Sequence, residues 1–504
     1  MSRAGKGIRV PAAAPSVILG LLVSILLFGN LGNQYLWQDE AQTALISGTI
    51  SAGGLPRGYD GKNYFSQDRG AEYGDGYLWK WHPWLPFYVL AGFFPLLGKS
   101  TFVARLPFAL FGAATVFLAY RLAFLLTGAR RSAYYAAFLL AVSVPFLLLS
   151  RQCRYYAPEM FFCLSVLFCY LRAMESGGRL PWGLYGLSLV LLFHTHQLFF
   201  FLSLAVTVVH AGLFHRDRAK SMFLAAGVLV LVHVPWVLWV YNVDYSKVHP
   251  AILTAGHLFS FLGQYSVLAY RHLVGPALLG GAFLAALLAG LGSIRLPSRW
   301  ILFARGWGLL GMFAAAGLIA ASALSYGLFF RNLAPLVPLF AIAFGGILGA
   351  LASWNRFLPI AVVAAHLAFS PFRSYLYEIT HDYDGPIEGI VTYLRSNAAK
   401  DDIVAITYGD LPVKWYTGLR VVGGMTGEPL DPVRNARWVI FRKHSISDKA
   451  LAVKWSMAQY FDPGSFERIV VDYPDLPFEN REEPDLHQYR TVRDEDRVVI
   501  YRRK

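Results

Sequence analysis

The chain has 504 residues, of which 56% are hydrophobic and only 15% charged, and its mean hydropathy is +0.44. A soluble domain carries about 25% charged residues, so this composition argues against a soluble enzyme, and so apolar a chain does not stay solvated as a disordered one. The net charge of +14 comes from bases set singly between apolar runs, a pattern of membrane topology rather than of a nucleic-acid-binding face.

A membrane-crossing helix needs about 20 mostly apolar residues. The predicted spans are 14–31, 102–126, 132–150, 155–173, 181–198, 198–214, 221–240, 274–294, 306–326, 333–351 and 357–372, about eleven in all. The shorter apolar segment 84–98 is expected to lie in the membrane interface, and 254–273 leaves span and interfacial helix open. The first span follows Arg3, Lys6 and Arg9 without a small-residue cleavage site behind it, so it is expected to stay as an uncleaved anchor. Alternate ends carry Arg130 and Arg131, Arg172 and Arg179, Arg216, Arg218 and Lys220, Arg295, Arg299 and Arg305, and Arg356. The positive-inside rule puts these and the N-terminus in the cytoplasm of a multi-pass inner (plasma) membrane protein. The opposite face holds the 32–83 loop, the short connections around residues 151–154 and 194–196, the 241–273 stretch, Arg331 and the tail.

The tail has a different composition and holds 21 of the 31 acidic residues. DIVAITYG, RWVIFRK, ERIVVDYP and VVIYRRK read as strands; PIEGIVTYLRSNA and SDKALAVKWSMAQYF read as amphipathic helices. This alternation predicts a small α/β domain. It has no glycine-rich phosphate loop and is expected to be a recognition or stabilising cap. The predicted organisation is a polytopic α-helical membrane module over 1–375, with a long first extracytoplasmic loop at 32–83, and a soluble extracytoplasmic α/β domain over 376–504. Cys153, Cys163 and Cys169 lack metal-ligand spacing and give neither a disulfide framework nor a zinc site.

Six of the ten acids in 1–375 crowd the first loop: Asp39, Glu40, Asp60, Asp68, Glu72 and Asp75. A carboxylate so near the bilayer is costly unless paired or functional. Asp39 and Glu40 are adjacent and point apart on a helix or a strand, so one can act as a base while the other holds the loop; a plain acid pair at a helix N-terminus is the structural alternative. Further on, Lys80 and His82 are candidate phosphate donors, and Trp81 can stack on a sugar or anchor in the interface. Arg105 opens a span and can simply snorkel. Arg151 and Arg154, before Tyr155, sit on the face where the positive-inside rule disfavours them; an anionic ligand, or pairing with the acidic loop, explains them. Glu159 can pair with one of these arginines. His194 and His196 do not share a helix face, so a metal pair is disfavoured; a polar role near the site and an ordinary interface histidine both stay open. Arg331 opens a late span on the same face. Lys247, His249, Arg271 and His272 can line an entrance for a lipid head group. Opposed charges gathered at one surface suit transfer from an anionic lipid donor, with a carboxylate taking the acceptor proton and cations stabilising the leaving phosphate.

The order of these motifs carries a resemblance. Asp39-Glu40 follows the first span; then come His82-Pro83-Trp84-Leu85-Pro86-Phe87, Ala104-Arg105-Leu106-Pro107, Arg151-Gln152-Cys153-Arg154-Tyr155-Tyr156 and Arg331-Asn332-Leu333-Ala334-Pro335. Over roughly 1–370 the chain resembles the GT-C membrane glycosyltransferases, in particular the protein O-mannosyltransferase-like family 39 with its bacterial aminoarabinose and galacturonosyl lipid A transferases. The resemblance implies an inverting transfer from a polyprenyl-phosphate-linked sugar to a membrane lipid or glycan acceptor on the extracytoplasmic face. It implies Asp39 as catalytic base with Glu40 assisting or holding the loop, and Lys80, Arg151, Arg154 and Arg331 on the donor phosphate. Trp81, His82, Tyr155 and His196 are the expected substrate contacts. No cofactor is required, and a divalent metal is left open. The family's usual His-Pro-Pro reads His82-Pro83-Trp84 here, and the Gly- and Tyr-rich stretch from Arg57 to Gly76 matches nothing in the pattern. The competing functional reading is a transporter or flippase of a lipid-linked or anionic substrate, which would place its charges near the bilayer midplane; a non-catalytic scaffold does not need six acids in its first loop.

Overall fold

The structure is a computed structural model that describes residues 14–240, 254–292, 300–325, 327–444, 448–480, 482–493 and 496–504. The expectations for Arg3, Lys6, Arg9, Lys247, His249, Arg295 and Arg299 lie outside the described residues. The chain begins with α1 (Ala14–Phe28), and α2 (Gln38–Gly53) then rises from the first loop. Next come α3 (Leu85–Leu97), α4 (Thr101–Thr127), and the pair α5 (Arg130–Ala141) and α6 (Val144–Ser150). They are followed by α7 (Tyr156–Ser176), α8 (Arg179–Phe193), α9 (Gln197–Phe214) and α10 (Arg216–Val240). Then follow α11 (Ala255–Ala269), α12 (Gly275–Gly290), α13 (Trp300–Leu324), α14 (Val337–Trp354), α15 (Phe357–Phe369) and α16 (Phe372–Glu378).

Every predicted span is largely helical over its described residues, but length and composition give fewer crossings than about eleven. Among the described residues seven helices are long and apolar enough, or nine if the bent pairs α5–α6 (64°) and α15–α16 (63°) each count as one span. The difference lies in α1 and α8, each 15 residues as described, about 22 Å of helix against a hydrocarbon core of about 30 Å. α3 is likewise a short apolar helix, and 254–273 merges with the following span into one apolar stretch, Ala255–Gly290. Close packing is set by small residues. Gly345 and Gly349 of α14 lie against Ala136 and Ser132 of α5, so near that an added Cβ would overlap them, the spacing by which membrane helices approach.

The tail forms a five-stranded sheet in the order β2-β1-β3-β5-β4. β1 (Ile403–Ile406) runs parallel to β2 (Arg420–Gly423) and β3 (Trp438–Ile440); β5 (Arg497–Arg503) runs antiparallel to β3 and to β4 (Phe466–Pro474). α17 (Pro386–Asn397) and α18 (Asp410–Thr417) cover one face, where Ile390, Leu394 and Val413 pack on Val404 and Ile406. α19 (Asp448–Ala458) covers the other, with Met457 against Ala405 and Val439. The alternation of side chains along a strand supplies both cores. All four predicted strands and both predicted helices of the tail are present. β2 and α18 were not predicted: one is four residues long, the other eight with a proline inside.

The tail is seated on the membrane helices. Gln38 Nε2 donates to Asp410 Oδ1 (2.7 Å), the Gln38 amide to Glu479 Oε1 (3.0 Å) and the Tyr35 amide to Glu388 Oε1 (2.7 Å). Its last segment reaches α7 and Arg331 through Glu482, and the Phe330 amide through Glu483 (2.9 Å).

Candidate active site

The first turn of α2 sets the site. Asp39 and Glu40 both sit in it, where a helix dipole favours acids, and the helix turns them to different surroundings. Glu40 points inward. It is fully buried, pairs with Arg105 through both carboxylate oxygens (2.6 and 2.8 Å) and accepts the Cys153 amide (2.7 Å). It thereby ties α2 to α4 and to the turn between α6 and α7 that carries Arg154.

Asp39 points into a cavity of about 680 Å³. Its Oδ1 accepts Gln67 Nε2 (3.0 Å), and its Oδ2 lies 3.4 Å from Arg154 Nη2 and 3.4 Å from Arg331 Nη1. With 16% of its side chain exposed, Asp39 is reachable. Arg154 also donates to the Asp39 carbonyl and to Thr43 Oγ1, both at 3.2 Å, while its buried Nε–H has no acceptor among the described residues. Arg331 enters from the turn before α14, stacks on Phe329 (4.4 Å to the ring) and donates to Glu482 Oε1 (3.2 Å). Both contacts to Asp39 are longer than the 2.7–2.9 Å or so of a tight charge-assisted hydrogen bond, so the guanidiniums keep N–H groups for another anion.

His82, Trp81, Tyr155 and His196 line the same cavity. Burial, with the Arg154 charge beside it, holds the His82 imidazole well below its usual pKa, so it is neutral at physiological pH, and its Nδ1 has no partner among the described residues. His196 lies 3.5 Å from Glu159. An apolar side is built from Phe199 of α9 and Ala320, Ala321 and Leu324 of α13.

Three expected site residues lie elsewhere. Glu40 is in the ion pair described above. Arg151 caps α1, donating to the carbonyls of Leu26, Leu27, Gly29 and Asn30 at 2.8–3.2 Å. Lys80 lies 5.0 Å from the Trp239 ring and outside the cavity. Arg271 and His272 pair with Asp485 of the tail (2.9 and 3.2 Å).

The cavity also contains Gln67, Tyr408, Met425 and His444, which sequence reasoning did not single out, and Asp68 and Glu72, named only among the six acids of the first loop. Gln67 and Glu72 come from the unmatched Arg57–Gly76 stretch. Glu72 is buried and accepts Gln42 Nε2 (3.0 Å), the amides of Gln67 and Asp68, and the Ser66 hydroxyl. Burial overrides these donors and pushes its pKa up to about 7. Tyr408, Met425 and His444 come from the tail. They follow the C-terminal ends of β1, β2 and β3, the edge at which open parallel sheets bind ligands. Tyr408 and His444 stack with ring centroids 3.7 Å apart. That edge was legible in principle, since two of the strands were predicted. Among the described residues no cluster of three or more His, Cys, Asp or Glu is placed to hold a metal ion.

Residues 81–239 match the family described as dolichyl-phosphate-mannose-protein mannosyltransferase. Over 97% of the chain the fold matches ArnT from Cupriavidus metallidurans bound to undecaprenyl phosphate, covering 98% of that protein at 16% identity with a TM-score of 0.58. The apo state of the same ArnT gives 17% identity and 0.59. The fold is that of the GT-C membrane glycosyltransferases. A further GT-C likeness is the Archaeoglobus fulgidus oligosaccharyltransferase in its apo form, at 13% identity and a TM-score of 0.53, over 92% of this chain and 74% of that one. No curated protein matches the sequence. In this chain Arg154 falls inside the matched segment 81–239, and Asp39 and Arg331 fall outside it.

Proposed function

We propose that the protein is an inverting glycosyltransferase that moves a sugar from a polyprenyl-phosphate donor to a hydroxyl of a membrane lipid or glycan on the extracytoplasmic face. The observation that carries this reading is a single cavity with a reachable carboxylate, two guanidiniums beside it and an apolar side made by membrane helices. The polar end suits a sugar phosphate, and the apolar side suits the first units of a polyprenyl chain. The likeness to ArnT bound to undecaprenyl phosphate supports the same class of donor.

Before a donor binds, Asp39 and the two arginines are counter-ions of one another. A donor phosphate competes for Arg154 and Arg331 and takes up the unpartnered Arg154 Nε–H. The acceptor oxygen then bonds to the anomeric carbon from the face opposite the phosphate while Asp39 takes its proton. The bond from that carbon to the phosphate oxygen breaks, and polyprenyl phosphate leaves with its charge held by the arginines. Glu40 is a positioning residue, acting through Arg105 and the Cys153 amide. Neutral His82, with Tyr155 and Trp81, shapes the sugar's place. Arg151 and Lys80 have no part in this scheme.

The test is sugar transfer in proteoliposomes given a panel of polyprenyl-phosphate sugars and membrane lipid and glycan acceptors. The expected result is a labelled product whose anomeric configuration is opposite to that of the donor. Retention of configuration overturns the single-base mechanism. Movement of donor between leaflets with no product points instead to a flippase.

A further inference from the structure

The 57–77 loop lines a second cleft, of about 780 Å³, through Tyr59, Asp60, Phe65 and Tyr77, while its residues Gln67, Asp68 and Glu72 line the catalytic cavity. The other sides of the cleft are α2, the start of α4, and α17 and α18 of the tail. Its floor is buried at Thr49, Phe65, Thr101 and Lys414, and its rim is exposed at Asp60, Tyr77, Lys99 and Arg395.

Charge in this cleft is uneven. Lys414 is neutralised by Asp410 at 2.6 Å. Among the described residues, Arg57, Lys99 and Arg395 have no carboxylate within ion-pair distance. Arg57 donates to the Gly76 carbonyl and Arg395 to the Tyr416 carbonyl (2.7 and 3.1 Å), and Lys99 Nζ lies 5.9 and 6.0 Å from the rings of Phe94 and Trp415. The carboxylate of Asp60 is engaged by the amides of Lys62 and Asn63 (2.8 and 2.7 Å). Between the cations stand aromatic faces: Tyr59 and Tyr77 with ring centroids 4.8 Å apart, and the stacked pair Tyr35–Tyr416 at 4.0 Å. Cations without counter-charges bind carboxylate or phosphate, and aromatic faces offer the apolar surface on which a sugar ring lies.

We propose that this cleft binds the anionic oligosaccharide headgroup of the acceptor. The assignment to the acceptor rests on the transferase reading; the binding chemistry stands on the cleft alone. α2 sets the length. Asp39 lies at its start and faces the catalytic cavity, and Leu45 and Thr49, six and ten residues further along, face the cleft, about 9 and 15 Å away at 1.5 Å per residue. An acceptor held in the cleft that presents a hydroxyl to Asp39 must bridge this distance around the loop, which favours an oligosaccharide over a single sugar. The arrangement also gives the Gly- and Tyr-rich first loop a role: it is the wall shared by the two sites.

The experiment titrates three probes into the full chain in nanodiscs of neutral lipid: trigalacturonate, maltotriose and inorganic phosphate. Trigalacturonate is expected to bind more tightly than either of the others, and more weakly at high salt. Lys99→Gln, on an exposed side chain, is expected to weaken it about 3- to 10-fold, and Arg57→Gln and Arg395→Gln likewise. Equal binding of maltotriose, or affinity unchanged in all three charge variants, overturns the proposal. Equally tight phosphate binding with the same dependence on the variants reduces the cleft to a free-anion site and overturns the saccharide assignment. Charge-sensitive trigalacturonate binding in a protein that transfers no sugar leaves the cleft standing and sinks the transferase reading; transfer with charge-insensitive binding does the reverse.

Discussion

Asp39 and Glu40 are consecutive in the first turn of α2, about 100° apart around the helix, and that rotation separates their work. Glu40 goes to Arg105 in a dry environment. Removing one partner of a buried pair leaves the other charge uncompensated, at a cost of about 3–5 kcal/mol. Glu40→Ala is therefore expected to lower the unfolding temperature in detergent clearly, and Glu40→Ala combined with Arg105→Leu to recover part of it. A single variant as stable as wild type contradicts the positioning role. The arginines make a different prediction. A hydrogen bond to a charged group contributes about 1.5–3 kcal/mol, so Arg154→Gln or Arg331→Gln is expected to weaken polyprenyl-phosphate binding about 10- to 100-fold. Binding measured on the lipid phosphate without its sugar checks this; unchanged affinity in both variants removes them from the phosphate site.

The loop between α2 and α3 behaves as one piece because Glu72 organises it. Four donors converge on that carboxylate, and the Gln67 side chain carries the connection to Asp39. Its folded pKa of about 7 lies above the ordinary 4.5. The stability it contributes is thus complete below about pH 4.5 and is lost as pH rises through about 7; at roughly 1.4 kcal/mol per pKa unit, this amounts to a few kcal/mol. Thermal melts from pH 5 to 8 are expected to fall more steeply for wild type than for Glu72→Gln. Parallel curves contradict the assignment.

Taken together, the membrane helices and the tail share one site. Asp39 comes from the first loop, Arg154 from the turn before α7, Arg331 from the turn before α14, and Tyr408 and His444 from the sheet. The helices were legible because apolar runs of span length have few other fates in a chain this hydrophobic. The tail's main strands were legible from β-branched runs bounded by turn residues. Asp39, Arg154 and Arg331 stood out because charge is expensive where they lie. Arg151 stood out for the same reason, yet α1 ends beside it and its carbonyls take the guanidinium; no spacing rule reports a helix end that arrives from more than a hundred residues away. Gln67 and Glu482 were invisible for the converse reason, and Glu72 stood out only as one of six acids in its loop. Polar residues in loops are ordinary until tertiary contact buries them.

The most direct measurement is a parallel determination of donor affinity and single-turnover transfer rate for wild type and Asp39→Asn in proteoliposomes. The amide keeps the shape of the side chain and its contact with Gln67 but takes up no proton. Donor affinity at or above that of wild type, with transfer slowed about 10²- to 10⁴-fold, is the predicted result. Transfer at the wild-type rate would mean that the carboxylate in this cavity is a structural counter-ion and that the base lies elsewhere.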